Sequence, residues 1–291
     1  MKKSDEIRRE AWALLWREGW LSRFFAVLAV FWLVTLGASL LTQMLFSGDA
    51  LEPLVTALEG ESFADEEALR AFLADHAEAL RRVAILLAWS AFVSLVLRGV
   101  FSLAFARLEL RAARHAAQAD WKKGLFAGFR APLGMAWLWL CQQIRTWWVT
   151  GLFVMPALVL FYACLCAGSF RPALLMPLPL AGFSIRAFYR YRQAWYVKAA
   201  HEDWPAGRCL AESARLTDGA KMANFRLDCA YWGAIALLAG AGVVLALAPW
   251  MLPVSLPVAI VVPVYIGTGQ AIFHRELLSR DRGRLATDES I

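Results

Sequence analysis

FFAVLAVFWLVTLGASLLTQMLF, residues 24–46, runs 23 positions without a charged side chain. At about 1.5 Å rise per residue, such a helix outreaches the roughly 30 Å of a bilayer's hydrocarbon core. Hydrocarbon offers no partner for backbone N–H and C=O groups, so an unbroken apolar run must satisfy them internally as a helix. This run fixes the class as an all-α polytopic membrane protein, and the rest of the chain is read outward from it.

Upstream lies MKKSDEIRREAWALLWREGWLSR. It carries four acids, is long, and leads to no small-residue cleavage site, so 24–46 reads as an uncleaved first span. Residues 1–23 are expected to form an interfacial amphipathic helix, centred on 5–20. Trp12, Trp16, Trp20 and Phe24 recur every four positions as one stripe. With Lys2, Lys3, Arg8, Arg9, Arg17 and Arg23 around it, the stripe suits either the inner leaflet or the flank of other helices.

Downstream, the expected single membrane domain covers 24–273. Residues 47–82 form a polar extracytoplasmic segment with nine acids. Within it, SFAD at 62–65 resembles a capping box, and a helix is predicted from about Phe63. The second span covers 83–106 and contains Arg98. A basic segment follows, and Gln142, Gln143 and Arg145 interrupt the next apolar stretch. The reading is an interfacial approach over about 121–145 and a third span over 146–167, with other arrangements of 121–167 left open. The fourth span is 172–189, the cytoplasmic segment 190–228, the fifth span 229–249 and the sixth 254–273. Residues 274–291 are expected to be a disordered cytoplasmic tail.

The charge distribution sets orientation. With the N-terminus inside, the inner segments hold twenty-five Lys and Arg and the outer ones four. Both termini are therefore expected on the inner face, with six spans between them.

Composition agrees. The chain is 60% hydrophobic with a mean hydropathy of +0.50, against about 45–50% apolar in soluble domains. Many of its 14 tryptophans sit at the ends of apolar runs, as interfacial anchors do. The net charge of +6 is carried by residues that flank those runs, so it reports topology rather than nucleic-acid binding.

Short patterns recur in a telling order: IRREAWALLWREGW, then ARLELR with DWKKGLFAGF, then D-W-P, ESARLTDGAKMANFRLD, YWGAIALL and PVYIGTGQAIFHREL. This order resembles the bacterial integral membrane family known as domain of unknown function 975. The resemblance covers most of the chain outside 47–82. It is carried by Asp203, Pro205, Ser213, Gly219, Lys221, Phe225, Leu227, Asp228, Trp232, Pro263, Tyr265, Phe273, Glu276 and Leu277. It implies a multi-span helical protein of the cytoplasmic membrane and no activity. A more distant likeness to the membrane domains attached to some glycerophosphodiester phosphodiesterases implies lipid association only.

Candidate chemistry is sparse. The four histidines are scattered, and His201-Glu202-Asp203 is the one close cluster, more simply a solvated helix start than a metal or proton site. No GxSxG, P-loop, HExxH or GxGxxG pattern is present. The five cysteines make no CxxC pair. No catalytic residue, metal ligand or cofactor is assigned.

Arg98 is the sharpest residue, because a cation deep in a span must be paired, wetted or reach back to the interface. Asp228 and Glu276 are its candidate partners. Arg186, Arg190 and Arg192, interleaved with Tyr189, Tyr191, Trp195 and Tyr196, could hold anionic lipid headgroups or form an ordinary aromatic belt. Gly233, Gly240 and Gly242 could permit close helix packing. The expected function is a non-enzymatic accessory, scaffolding or lipid-associated role, with a transporter or channel using Arg98 as the alternative.

The segment 201–228 decides nothing by its polarity. It reads as an interfacial connector: Asp203 or Trp204 caps a short helix begun by Pro205, and Gly219 closes it in the left-handed conformation.

Overall fold

The computed structural model describes residues 2–17, 19–45, 66–114, 122, 124–166 and 186–288. Every regular element among them is helical, as the apolar runs require. The α-helices are α1 (Ser4–Trp16), α2 (Trp20–Leu45), α3 (Glu66–Asp75), α4 (Ala77–Ala113), α5 (Pro132–Cys166), α6 (Ala194–Ala200), α7 (Ala206–Leu216), α8 (Lys221–Ala230), α9 (Trp232–Leu247) and α10 (Leu252–Asp288).

Three stretches are long and apolar enough to cross a bilayer: Trp20–Met44, Ala77–Ala113 and Ser255–Arg282. The pair α8 and α9 makes a fourth if taken as one span bent by 55°. The bend falls at Tyr231. The carbonyl of Ala230 leaves the helical ladder there and accepts from Arg8 Nη1 at 2.8 Å. The expected fourth span, 172–189, lies mostly outside the described residues, as does the capping box at 62–65.

The contacts divide the chain into two units. The first comprises residues 1–28 and 99–291, the second 29–98. In the second, α3 stops at Asp75 and α4 starts at Ala77, one residue apart. His76 sits in the break and stacks on Phe72, their ring centroids 4.5 Å apart.

The first unit holds the core. Ile7 and Leu14 of α1, Leu110 of α4, Tyr196 of α6, Leu227 of α8, and Phe273 and Leu277 of α10 form one buried cluster. Leu138 of α5 packs with Val197, Cys209, Leu210 and Leu216 in another.

Three expectations change here. The four-residue stripe splits: Trp20 and Phe24 are buried, whereas Trp12 and Trp16 are exposed. The buried face of α1 is instead Ile7, Ala11, Leu14 and Leu15, because α1 ends at Trp16 and Gly19 turns the chain at φ +68° before α2.

From Pro132 onward the expected interfacial approach and third span are a single helix, α5. Its polar residues do not break it because they find partners. Gln142 donates to Tyr191 O at 3.1 Å and accepts from Trp195 Nε1 at 2.8 Å. Gln143 accepts from Trp147 Nε1 at 3.0 Å.

The tail is not disordered through its length, since α10 continues to Asp288. Leu277 is in the core. Arg275 binds Glu10 of α1 at 2.7 Å and donates to Ala113 O at 2.5 Å. Arg215 forks onto Asp281 and Glu212 with four contacts of 2.7–2.9 Å.

Glu10 clamps α1 to α10 with Lys2 and Arg275. Burial raises its pKa, but hydrogen bonds and charge from Lys2 and Arg275 outweigh burial and set it below the ordinary 4.5. A group whose pKa falls on folding contributes fully above its unfolded value and loses that contribution as acid protonates it. The clamp should therefore hold above about pH 4.5 and release α1 below it. Arg275→Ala should cost about 1.5 kcal/mol at pH 7 and speed proteolysis within residues 2–17. Equal cleavage rates in wild type and variant would overturn this.

Candidate ligand pocket

Asp228 on α8 is the hub of a polar network inside the first unit. It forms an ion pair with Arg192 and accepts from Tyr189 Oη at 2.5 Å and from Gln270 Nε2 of α10 at 2.9 Å. Gln270 Oε1 in turn accepts from Gln193, the residue preceding α6, at 3.2 Å. Both charged side chains are less than one-fifth exposed. Arg192 also lies over the rings of Phe188 and Tyr189, at 5.2 and 5.4 Å.

One helical face further on, Glu109 of α4 is buried. Its Oε2 accepts from Tyr196 Oη at 2.7 Å, and the same hydroxyl lies 3.1 Å from the Gly267 carbonyl oxygen of α10. Burial first, then the adjacent Glu109 carboxylate, push the Tyr196 phenol well above its ordinary range, so it stays a donor. Gly267 has no side chain for a reason. A Cβ there would collide with the Glu109 carboxylate. His274, two turns further along α10, stacks on Tyr196 with centroids 5.5 Å apart.

These residues border a cavity of about 460 Å³. Three of the helical segments that line it share one spacing. Ser102, Phe105, Ala106 and Glu109 come from α4; Arg192, Trp195 and Tyr196 from the α6 region; Pro263, Ile266, Gly267 and Gln270 from α10. Steps of three and four residues put each set on one face of its helix. Glu109, Arg192 and Gln270 make a polar floor, and Phe105, Pro263, Ile266 and Leu238 of α9 make apolar walls. α9 itself buries no residue, and Leu237, Val243 and Leu247 are exposed, which suits hydrocarbon surroundings.

The residues singled out from sequence fall in different places. Asp228 takes Arg192 as its ion-pair partner, and Glu276 lies 3.8 Å from Lys2. Arg98 lines a separate cavity of about 480 Å³ in the second unit, with Thr35, Ser39, Thr42, Ser90 and Ser94. Of the arginine–tyrosine group, Arg192 enters the pocket, Arg186 is exposed, and Arg190 lies over Tyr191 at 5.6 Å.

The motif residues are mostly architectural. Ser213 is buried and donates to Arg190 O at 3.1 Å. Gly219 has φ +69°, as the turn requires, and Lys221 pairs with Asp218 at 3.1 Å. Phe225 meets Tyr189 edge-on at 6.2 Å, and Tyr265 meets Tyr231 at 4.8 Å. Pro205 is the N-cap of α7 rather than its first residue, so neither Asp203 nor Trp204 caps it.

The His201-Glu202-Asp203 cluster disperses. His201 stacks on Trp204 at 4.0 Å, and Glu202 binds Arg107 at 2.6 Å. Among the described residues no three His, Cys, Asp or Glu side chains converge on a metal-sized site. Burial raises the Cys209 thiol above its ordinary value, which keeps it protonated and unreactive.

Comparison with protein-family models, curated proteins and solved structures finds no match for this chain. The resemblance drawn from motif order therefore rests on those motifs alone. Sequence reasoning missed Glu109, Gln193 and Gln270, and saw Tyr196 only as one aromatic of the arginine–tyrosine group. The available signal was the repeated three-and-four spacing that sets Glu109 and Gln270 in line with apolar residues.

Proposed function

We propose that this chain is a non-enzymatic, lipid-associated protein of a bacterial inner membrane. In this reading six helices cross the bilayer, with both termini cytoplasmic and family membership as the motif order suggests. The single observation that carries the function is the amphipathic cavity: a floor of Glu109, Arg192 and Gln270 under walls of Phe105, Pro263, Ile266 and Leu238. Polar groups on one side and apolar walls on the others suit a molecule with a headgroup and a chain. The lysine and arginine bias supports setting this end of the bundle at the inner interface, where headgroups lie.

The protein purified in a mild detergent should retain about one phospholipid per chain by native mass spectrometry. Ser102→Phe, which adds a ring to the cavity wall, should release it. A lipid-free wild type, or equal retention in the variant, would sink the proposal.

A second reading is solute transport through the second unit, favoured by Arg98 beside Thr35, Ser39, Thr42, Ser90 and Ser94. Proteoliposome uptake lost in Arg98→Ala and kept in Ser102→Phe would select it.

A further inference from the structure

The charge and hydrogen-bond partners at the cavity floor bear on the headgroup it would take. Asp228 and Arg192 neutralise one another. Glu109 does not share that cancellation, because the hydrogen bond it receives comes from the neutral hydroxyl of Tyr196. That hydroxyl has one proton, and two acceptors lie within its reach, Glu109 Oε2 at 2.7 Å and Gly267 O at 3.1 Å. A single proton serves one of them well. The described residues place no donor on Glu109 Oε1. The floor thus holds one buried carboxyl group, Glu109, that has no cation partner among the described residues.

We propose that the ligand carries a primary ammonium seated on Glu109, and that it is a phospholipid of the phosphoethanolamine type. An ammonium brings three N–H donors and one positive charge, and so would hold Glu109 as its carboxylate partner. A trimethylammonium headgroup brings the charge without a donor, and a glycerol headgroup brings donors without the charge. Arg192, on the same floor, engages Asp228 through Nη1 and presents the rest of its guanidinium fork for the adjacent phosphate. The apolar walls favour a lipid over a free amine. This assignment rests on the reading of the cavity as a lipid site, and its test separates the two.

Native mass spectrometry of the full chain, titrated with phosphatidylethanolamine, phosphatidylcholine and phosphatidylglycerol of identical acyl chains, reads the preference directly. The ethanolamine lipid should exceed each of the others by about tenfold in affinity. Glu109→Gln should lower the affinity for the ethanolamine lipid about tenfold, to that of the other two, with thermal stability kept. Ser102→Phe should lose all three lipids. Equal affinities in the wild type, with Ser102→Phe still losing every lipid, would overturn the ammonium assignment and leave the lipid site standing. Lipid binding insensitive to Ser102→Phe would overturn both. Displacement of the lipid by soluble phosphoethanolamine at equal concentration would assign the ammonium to a water-soluble amine and overturn the lipid arm.

Discussion

Asp228→Ala is expected to lower folding stability by about 3 kcal/mol, among the larger costs of any single polar substitution in this chain. The reason lies in what stays behind. Arg192 would keep a positive charge less than one-fifth exposed, and Tyr189 and Gln270 would keep donors aimed at a missing acceptor. Stranding a partly buried partner costs more than the pair itself contributes. Asp228→Asn should cost less, because the amide oxygen still accepts from Tyr189 or Gln270. Combining it with Arg192→Gln should recover part of the loss, as the unpaired charge disappears. Thermal unfolding in detergent measures all three. A change within about 0.5 kcal/mol for Asp228→Ala would refute the hub. The exposed Lys221–Asp218 pair is the control, and its removal should leave stability unchanged.

The same hub marks the border of what the sequence could disclose. Span-scale features were readable because length and hydrophobicity act locally, and 24–46 is a helix over all its described residues. The turn at Gly219 was readable for a similar reason, since one residue's conformational freedom decides it. Pairings were not readable. Asp228 and Arg192 are 36 positions apart, and Glu109 and Tyr196 are 87 apart. Arg98 drew attention because it sits in an apolar run, whereas Arg192 looked like one charge in a basic belt. Burial made Arg192 the informative one, and burial is a property of the assembled helices.

Continuity failed in both directions for one physical reason. Gln142 and Gln143 looked like an interruption of α5, and the tail after Phe273 looked like the end of α10. In each case tertiary hydrogen bonds keep polar residues inside a helix: Tyr191 and Trp195 hold Gln142, and Glu10 holds Arg275. Local polarity predicts a break only when no partner arrives from elsewhere. Conversely, the expected fifth span, 229–249, does not run as one helix from its start: the chain bends at Tyr231, where Arg8 takes the Ala230 carbonyl.

The glycines give the other large expected effect. Gly99→Ala should destabilise the protein by about 3 kcal/mol, at the upper end of ordinary overpacking costs. A Cβ at Gly99 would lie 2.6 Å from the carbonyl carbon and oxygen of Met135 and 2.8 Å from the nitrogen of Ala136. These are backbone atoms of α5, so no rotamer change can relieve the clash. The helices must separate, and Phe101, buried against Phe129, loses its packing with them. The glycines that sequence spacing pointed to behave oppositely. Gly233, Gly240 and Gly242 meet nothing within 4 Å of a built Cβ. Gly240→Ala should therefore be neutral or stabilising by about 0.5 kcal/mol, because alanine restricts the unfolded chain and favours the helix. Thermal unfolding of the two variants side by side separates the roles. If Gly99→Ala and Gly240→Ala unfold within a degree of each other, the close approach of α4 and α5 at Gly99 is wrong. A destabilised Gly240→Ala would instead place a partner against α9 and would require that its face be covered by protein rather than lipid.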